Sequence, residues 1–126
     1  MARRAYEAFN RGDVAGMVAD IASEFEFVTT GTVPGMTGVY RGAEGMMEFL
    51  EWLRGEFDSP SVEVRELIEE GDQVLAAVTL RGSGKQSGVE ASWDLWHLWT
   101  YRHGKVVRGQ AFTSTDDALE AAGLSE

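Results

Sequence analysis

The spacing of apolar residues changes character at Pro60: helical intervals dominate before it and strict alternation after it. From Ala2 to Phe9 the pattern predicts a helix that Asn10-Arg11-Gly12-Asp13 ends, with Asp13 placed to cap a second helix through Ala22. Glu24-Phe25-Glu26-Phe27-Val28-Thr29 alternates with period two and reads as a strand, after which Gly31, Pro34, Gly35 and Gly38 make a loop. A third helix follows Gly42 and carries Met46, Phe49, Leu50, Leu53 and Phe57 on one stripe, with Trp52 at its edge and Ser59-Pro60 closing it. Strands are then expected at Val62 to Ile68, Gln73 to Arg81, Val89 to Arg102 and Lys105 to Thr113. The turns between them, Gly71-Asp72, Gly82-Ser83-Gly84 and His103-Gly104, imply an antiparallel meander. Asp116 to Leu124 reads as a short terminal helix capped near Thr115. Helices first and a meander second predict an α+β domain in which a curved antiparallel sheet wraps around the helices. No repeat or linker interrupts the chain, so residues 1–126 are expected to form one domain.

The stretch "SWDLWHLWTY" sharpens this picture, because both faces of its strand are costly to leave wet. Strand residues point alternately to opposite sides, so Trp93, Leu95, His97, Trp99 and Tyr101 share one face and Ser92, Asp94, Trp96, Leu98 and Thr100 the other. Small residues on other strands offer room opposite these rings: Val107, Gly109, Ala111 and Thr113 share one face of the last strand, and Ala77 and Thr79 lie two strands earlier. A ligand-sized space is therefore expected beside His97. Asp94 falls on the opposite face, and a dyad with His97 would need a bulge.

Composition narrows the function classes. With no cysteine, neither a disulfide framework nor a thiolate site or nucleophile is possible. Eleven basic residues stand against 21 acidic ones, a net charge of -10 that repels phosphate backbones and anionic membranes, so no nucleic-acid or membrane partner is expected. No apolar run nears the roughly 20 residues that span a bilayer, and the start lacks a signal peptide, so a soluble cytoplasmic protein is expected. The two histidines sit in different settings and no ligand spacing recurs on one face, so no metal site is expected. No cofactor fingerprint or serine-hydrolase elbow is visible, and Gly82-Ser83-Gly84-Lys85 lacks the spacing of a phosphate loop.

The element order, together with "AYEAFNRGD", "VYRGAEGMMEFLEWL", "YRHGKVVR" and "DDALEAAGL", resembles the SnoaL-like branch of the nuclear transport factor two-like superfamily. That superfamily includes ketosteroid isomerases, polyketide cyclases, scytalone dehydratases and limonene epoxide hydrolases. The resemblance implies a cone-shaped roll enclosing a pocket, and it makes the face of His97 the concave one. Set against the isomerases, whose oxyanion hole uses a tyrosine and a protonated aspartate, Ala5 takes the tyrosine's place and Tyr6 is one residue out of register. Thr29 takes the place of the base aspartate, and His97 that of the oxyanion aspartate. Set against the epoxide hydrolases, Ala111 stands where an aspartate is expected, and Arg81 stands near their arginine. Steroid isomerisation and epoxide opening by those mechanisms thus lack key groups, whereas histidine-based cyclase or dehydratase chemistry retains His97.

The candidate catalytic residue is therefore His97, and the candidate ligand-binding residues are Tyr6, Thr29, Trp93, His97, Trp99 and Thr113. Three roles stay open for His97: a core histidine bonded to a neighbour, a ligand contact, or an acid-base group. Apolar surroundings should lower its pKa and keep the ring neutral near pH 7. The expected partner is a small apolar or amphipathic molecule, with cyclase, dehydratase or isomerase chemistry on a carbonyl compound as the enzymatic version. A homodimer through the sheet's outer face is also expected. Trp96 and Leu98 would otherwise form an exposed patch there, and the resemblance adds Val74, Ala76, Val78 and Leu80 to that face. The other reading is a non-catalytic structural or partner-binding homodimer whose cavity is filled by its own side chains.

Overall fold

Helix α1 (Ala2–Arg11) ends where Gly12 adopts φ +76°, a left-handed conformation that costs glycine little. The Gly12 amide then bonds to the Phe9 carbonyl at 3.0 Å and the Asp13 amide to the Ala8 carbonyl at 2.8 Å, the paired closure of a Schellman turn. The computed structural model describes residues 2–29 and 38–124, so the expected loop residues Gly31, Pro34 and Gly35 lie outside the described residues. Asp13 caps α2 (Val14–Val18), accepting a hydrogen bond from the Gly16 amide at 3.0 Å. This second helix stops four residues short of the expected Ala22. Ile21 instead opens strand β1 (Ile21–Val28), whose parallel pairing with the last strand outweighs the local helical spacing.

A short strand, β2 (Val39–Arg41), leads into α3 (Gly42–Glu56), and β3 (Phe57–Glu70) follows without a loop. Phe57 is the first strand residue rather than the end of the helical stripe, and Ser59-Pro60 lies inside a strand rather than closing a helix. Proline is accommodated because β3 is an edge strand and its pairing with β4 (Gln73–Gly84) is irregular between Asp58 and Ser61. Strands β5 (Glu90–Arg102) and β6 (Lys105–Phe112) complete the meander, and α4 (Thr115–Ala121) follows, capped by Ser114.

The strand order is β2-β1-β6-β5-β4-β3, antiparallel throughout except for β1 beside β6. The architecture is thus the expected α+β cone, with N-terminal helices and a mostly antiparallel six-stranded sheet. Its concave face holds the larger core, in which Tyr6 and Phe9 of α1 and Phe49, Leu50 and Leu53 of α3 meet Phe25, Phe27 and Leu95 of the sheet. Asn10 secures α1 over the edge of that sheet: its side chain donates to the Val62 carbonyl at 2.9 Å and accepts from the Val62 amide at 2.8 Å.

The faces of β5 are as alternation predicts, but those of its two neighbours are not. On β4 the inward set is Ala76, Val78 and Leu80, while Ala77 and Thr79 pair with Trp96 and Asp94 on the outer face, the reverse of the expected assignment. On β6 a register shift between Thr100 and Tyr101 places Val106 rather than Val107 opposite Tyr101 and inside the core. On the outer face Leu98 and Trp96 pack against α4, whose buried Ala118 packs with Leu75, Leu98 and Phe112. The Trp96 indole also donates to the Thr115 hydroxyl at 3.0 Å. Helix α4 thus packs on part of the patch from which a homodimer was expected, burying Leu98 and leaving Trp96 half-buried. No helix among the described residues is long and apolar enough to cross a membrane.

Candidate functional site

Tyr6 reaches the concave face from α1, and His97 and Trp99 rise to meet it from alternate positions of β5. The Trp99 indole N–H donates to the Tyr6 hydroxyl oxygen at 2.8 Å, and that oxygen lies 2.7 Å from His97 Nδ1. The rings support this chain of polar contacts: Tyr6 and His97 stack with planes 11° apart, and Trp99 meets the His97 ring edge-on at 5.4 Å between centroids. Phe27 of β1 lies against the far side of this group, stacked on Trp99 at 14° and 5.5 Å.

Beside these groups lies a cavity of about 90 Å3, lined by Tyr6, Phe27, Phe49, Leu95, His97 and Trp99 among others. One enclosed water needs roughly 10–15 Å3 by this measure, so the space admits a compact molecule about the size of a single ring. Tyr101 also lines the wall. No carboxylate does so among the described residues. No group of three metal-ligating side chains occurs among those residues either.

Burial sets the protonation states. It lowers the His97 pKa from 6.5 to about 4, so the imidazole is neutral at pH 7. It pushes the Tyr6 phenol well above 10, a shift that the Trp99 hydrogen bond opposes and the neighbouring Tyr101 reinforces. Tyr101 is also pushed up, first by burial and then by the negative charges of Asp20 and Glu69. At neutral pH the polar groups of the cavity are therefore uncharged hydrogen-bonding groups. With a neutral ring and no carboxylate on the described wall, the arrangement offers hydrogen bonds to an oxygen.

The candidate residues divide into two sets. Tyr6, His97 and Trp99 converge on the cavity, and the one-residue offset against the isomerases does not keep the Tyr6 hydroxyl out of it. Thr29, Trp93 and Thr113 are not on its wall. Thr29 is fully buried, but its hydroxyl donates to the Gly38 carbonyl at 3.4 Å. Trp93 shares the face of His97 yet packs edge-on against Phe57, at 5.3 Å, toward the β3 side of the sheet. Thr113 lies beyond the end of β6 and is exposed. Asp94 accepts from the Thr79 hydroxyl at 2.8 Å on the outer face, and the irregularity in β5 comes at Thr100, too late to bring Asp94 to His97. Arg81 is exposed and engaged with Glu63 at 2.7 Å. His103 occupies the β5–β6 turn at φ +53° and is solvated. Phe27 was the residue to find: its alternation with Phe25 marked the inward face of β1, but only the fold reveals that β1 runs beside β6.

Gly109 allows the indole to lie flat. It sits opposite Trp99 and Phe27 in the two ladders, and a Cβ there would collide with the Trp99 ring and come within 2.9 Å of Phe27 Cδ1. Gly109→Ala should therefore cost about 1–3 kcal/mol, as overpacking does in a filled core, and should displace Trp99 from Tyr6. Urea unfolding measures the cost, and an unchanged midpoint would mean that the ring moves freely.

A model of the SnoaL-like domain matches residues 2–109. A search of curated proteins finds no match. Among solved structures, an NTF2-like protein from Burkholderia thailandensis is 27% identical, with 99% of this chain and 94% of that one covered and a TM-score of 0.82. TerC, co-crystallised with polyporic acid, is also 27% identical, with coverages of 94% and 92% and a TM-score of 0.79. A protein of ketosteroid isomerase-like fold from Catenulispora acidiphila, in complex with trimethylamine, shares the fold at 14% identity, with coverages of 98% and 92% and a TM-score of 0.78.

Proposed function

We propose that this chain, which belongs to the SnoaL-like domain family, uses its cone to bind a small, largely apolar molecule with His97 as the polar tip of the cavity. The observation that carries this reading is the coincidence of an open space with a neutral imidazole: rings supply the burial, and one polar group supplies orientation. Structural relatives solved with small organic molecules, TerC with polyporic acid and the Catenulispora protein with trimethylamine, support a small-molecule partner. If turnover occurs, the chemistry that fits is polarisation of a carbonyl in a cyclase, dehydratase or isomerase step. Binding stands ahead of it because no carboxylate lines the described cavity to act as a partner base. A dimer whose cavity is filled by its own side chains fits less well, since space remains beside His97 and α4 packs on Trp96 and Leu98.

Cyclohexanone, compact and apolar with one polar end, is a suitable probe. Saturable binding should alter the emission of Trp99, which lines the cavity. His97→Phe keeps a ring of similar size without either nitrogen, and it should weaken binding by about 1–3 kcal/mol, the cost of an unsatisfied buried partner. A variant that loses stability but retains full affinity would mean that His97 serves the core alone.

A further inference from the structure

We infer that Tyr6 and Trp99 fix which nitrogen of His97 carries the proton, so that the cavity presents an N–H donor and selects ligands that bring an acceptor oxygen, above all a carbonyl. This rests on the binding reading above and names the chemistry of the bound end. An indole has only a donor to offer, so at 2.8 Å Trp99 must occupy a lone pair of the Tyr6 oxygen. The same hydroxyl retains one hydrogen, and in a buried position that hydrogen needs an acceptor. His97 Nδ1, 2.7 Å away, is the acceptor provided among the described residues. A proton on Nδ1 would reverse the contact: the Tyr6 oxygen would then receive two donors while its own hydrogen had nowhere to go. The chain of donation therefore runs one way, from the Trp99 indole to the Tyr6 oxygen and from the Tyr6 hydroxyl to Nδ1, and the neutral ring keeps its proton on Nε2.

Nε2 has no hydrogen-bond partner among the described residues, yet no described buried side-chain polar atom is left without one. It consequently opens onto accessible space, and the accessible space beside this ring is the cavity. A ketone oxygen placed there completes an Nε2–H···O bond, whereas an ammonium group would set donor against donor. Tyr6 has its hydroxyl engaged on both sides and does not touch the ligand's oxygen. It is a positioning residue that acts through His97.

Nitrogen NMR of 15N-labelled protein at pH 7 reads this directly. The free protein should show one protonated nitrogen, Nε2, and one bare nitrogen, Nδ1. In Tyr6→Phe the two shifts should move toward each other as the second tautomer becomes populated, and Trp99→Phe provides a second perturbation should that variant fold poorly. Adding cyclohexanone should move Nε2 and leave Nδ1 in place, and the ketone should bind about 10-fold more tightly than its carbon isostere methylenecyclohexane. A protonated Nδ1 in the free protein, or equal affinity for the two probes, would overturn the inference while leaving a binding cavity intact. If neither probe binds although Nε2 carries the proton, the binding reading falls and the acceptor selectivity falls with it, while the tautomer assignment stands.

Discussion

Lowering the pH from 7 to 4 should cost the fold about 3 kcal/mol through His97 alone. The sign follows from where the proton is bound. In the unfolded chain the imidazole titrates near 6.5, and in the folded protein burial holds it near 4. Above 6.5 both states are neutral and the group contributes nothing to pH dependence. Between 6.5 and 4 the unfolded state takes up a proton that the folded state refuses, so stability falls with pH until the folded ring also protonates. Urea unfolding at pH 7, 5.5 and 4 should therefore show a steep loss for the wild type, and His97→Phe should remove that part of the slope. Equal losses in the two proteins would show that the ring accepts a proton without cost and is not held neutral by its surroundings.

Phe27→Ala should cost about 3–5 kcal/mol, the usual range for deleting a buried aromatic ring. Phe27 is 2% exposed, stacks on Trp99 and meets the Phe49 ring edge-on at 5.3 Å. It forms the cavity wall beside His97, whose ring it meets edge-on at 6.1 Å, and its backbone pairs with Gly109, the residue whose missing side chain lets the indole lie flat. Removing the ring deletes contacts from both partners and enlarges the cavity, so the variant should lose stability and the order of the Trp99 ring together. Urea unfolding and near-ultraviolet circular dichroism follow these two effects. A loss below about 1 kcal/mol would mean that the wall collapses onto the space and the cavity is not rigid.

The parts of this structure that the sequence announces are those governed by neighbours along the chain. Gly12 ends α1 and Asp13 caps α2 through bonds spanning no more than five residues, and the alternating rings of "SWDLWHLWTY" assign the two faces of β5. What the sequence hides depends on distant strands. β1 runs parallel to β6, which converts Ile21 and Ala22 from helix to strand, and the shift at Thr100 exchanges Val107 for Val106 on the inner face. β2 has three residues, too few for a periodicity to register. The site follows the same division. His97 and Trp99 are identifiable as chemistry on a shared strand face and Tyr6 as a hydroxyl on a helix, but Trp93 is not separable from His97 and Trp99 by alternation. Only the packing of Phe57 against Trp93 shows that this ring belongs to the other end of the strand. Thr113 was placed by extending β6 one residue past Phe112, where the strand ends, and into solvent.

The most direct measurement is a crystal structure of the protein soaked with cyclohexanone. The ring should lie within the cone, against Trp99 and Phe27, with its oxygen about 3 Å from Nε2 of His97 and the Tyr6 hydroxyl still bridging Trp99 and Nδ1. Ligand found only on the outer surface, or seated in the cone with its oxygen turned away from His97, would contradict it.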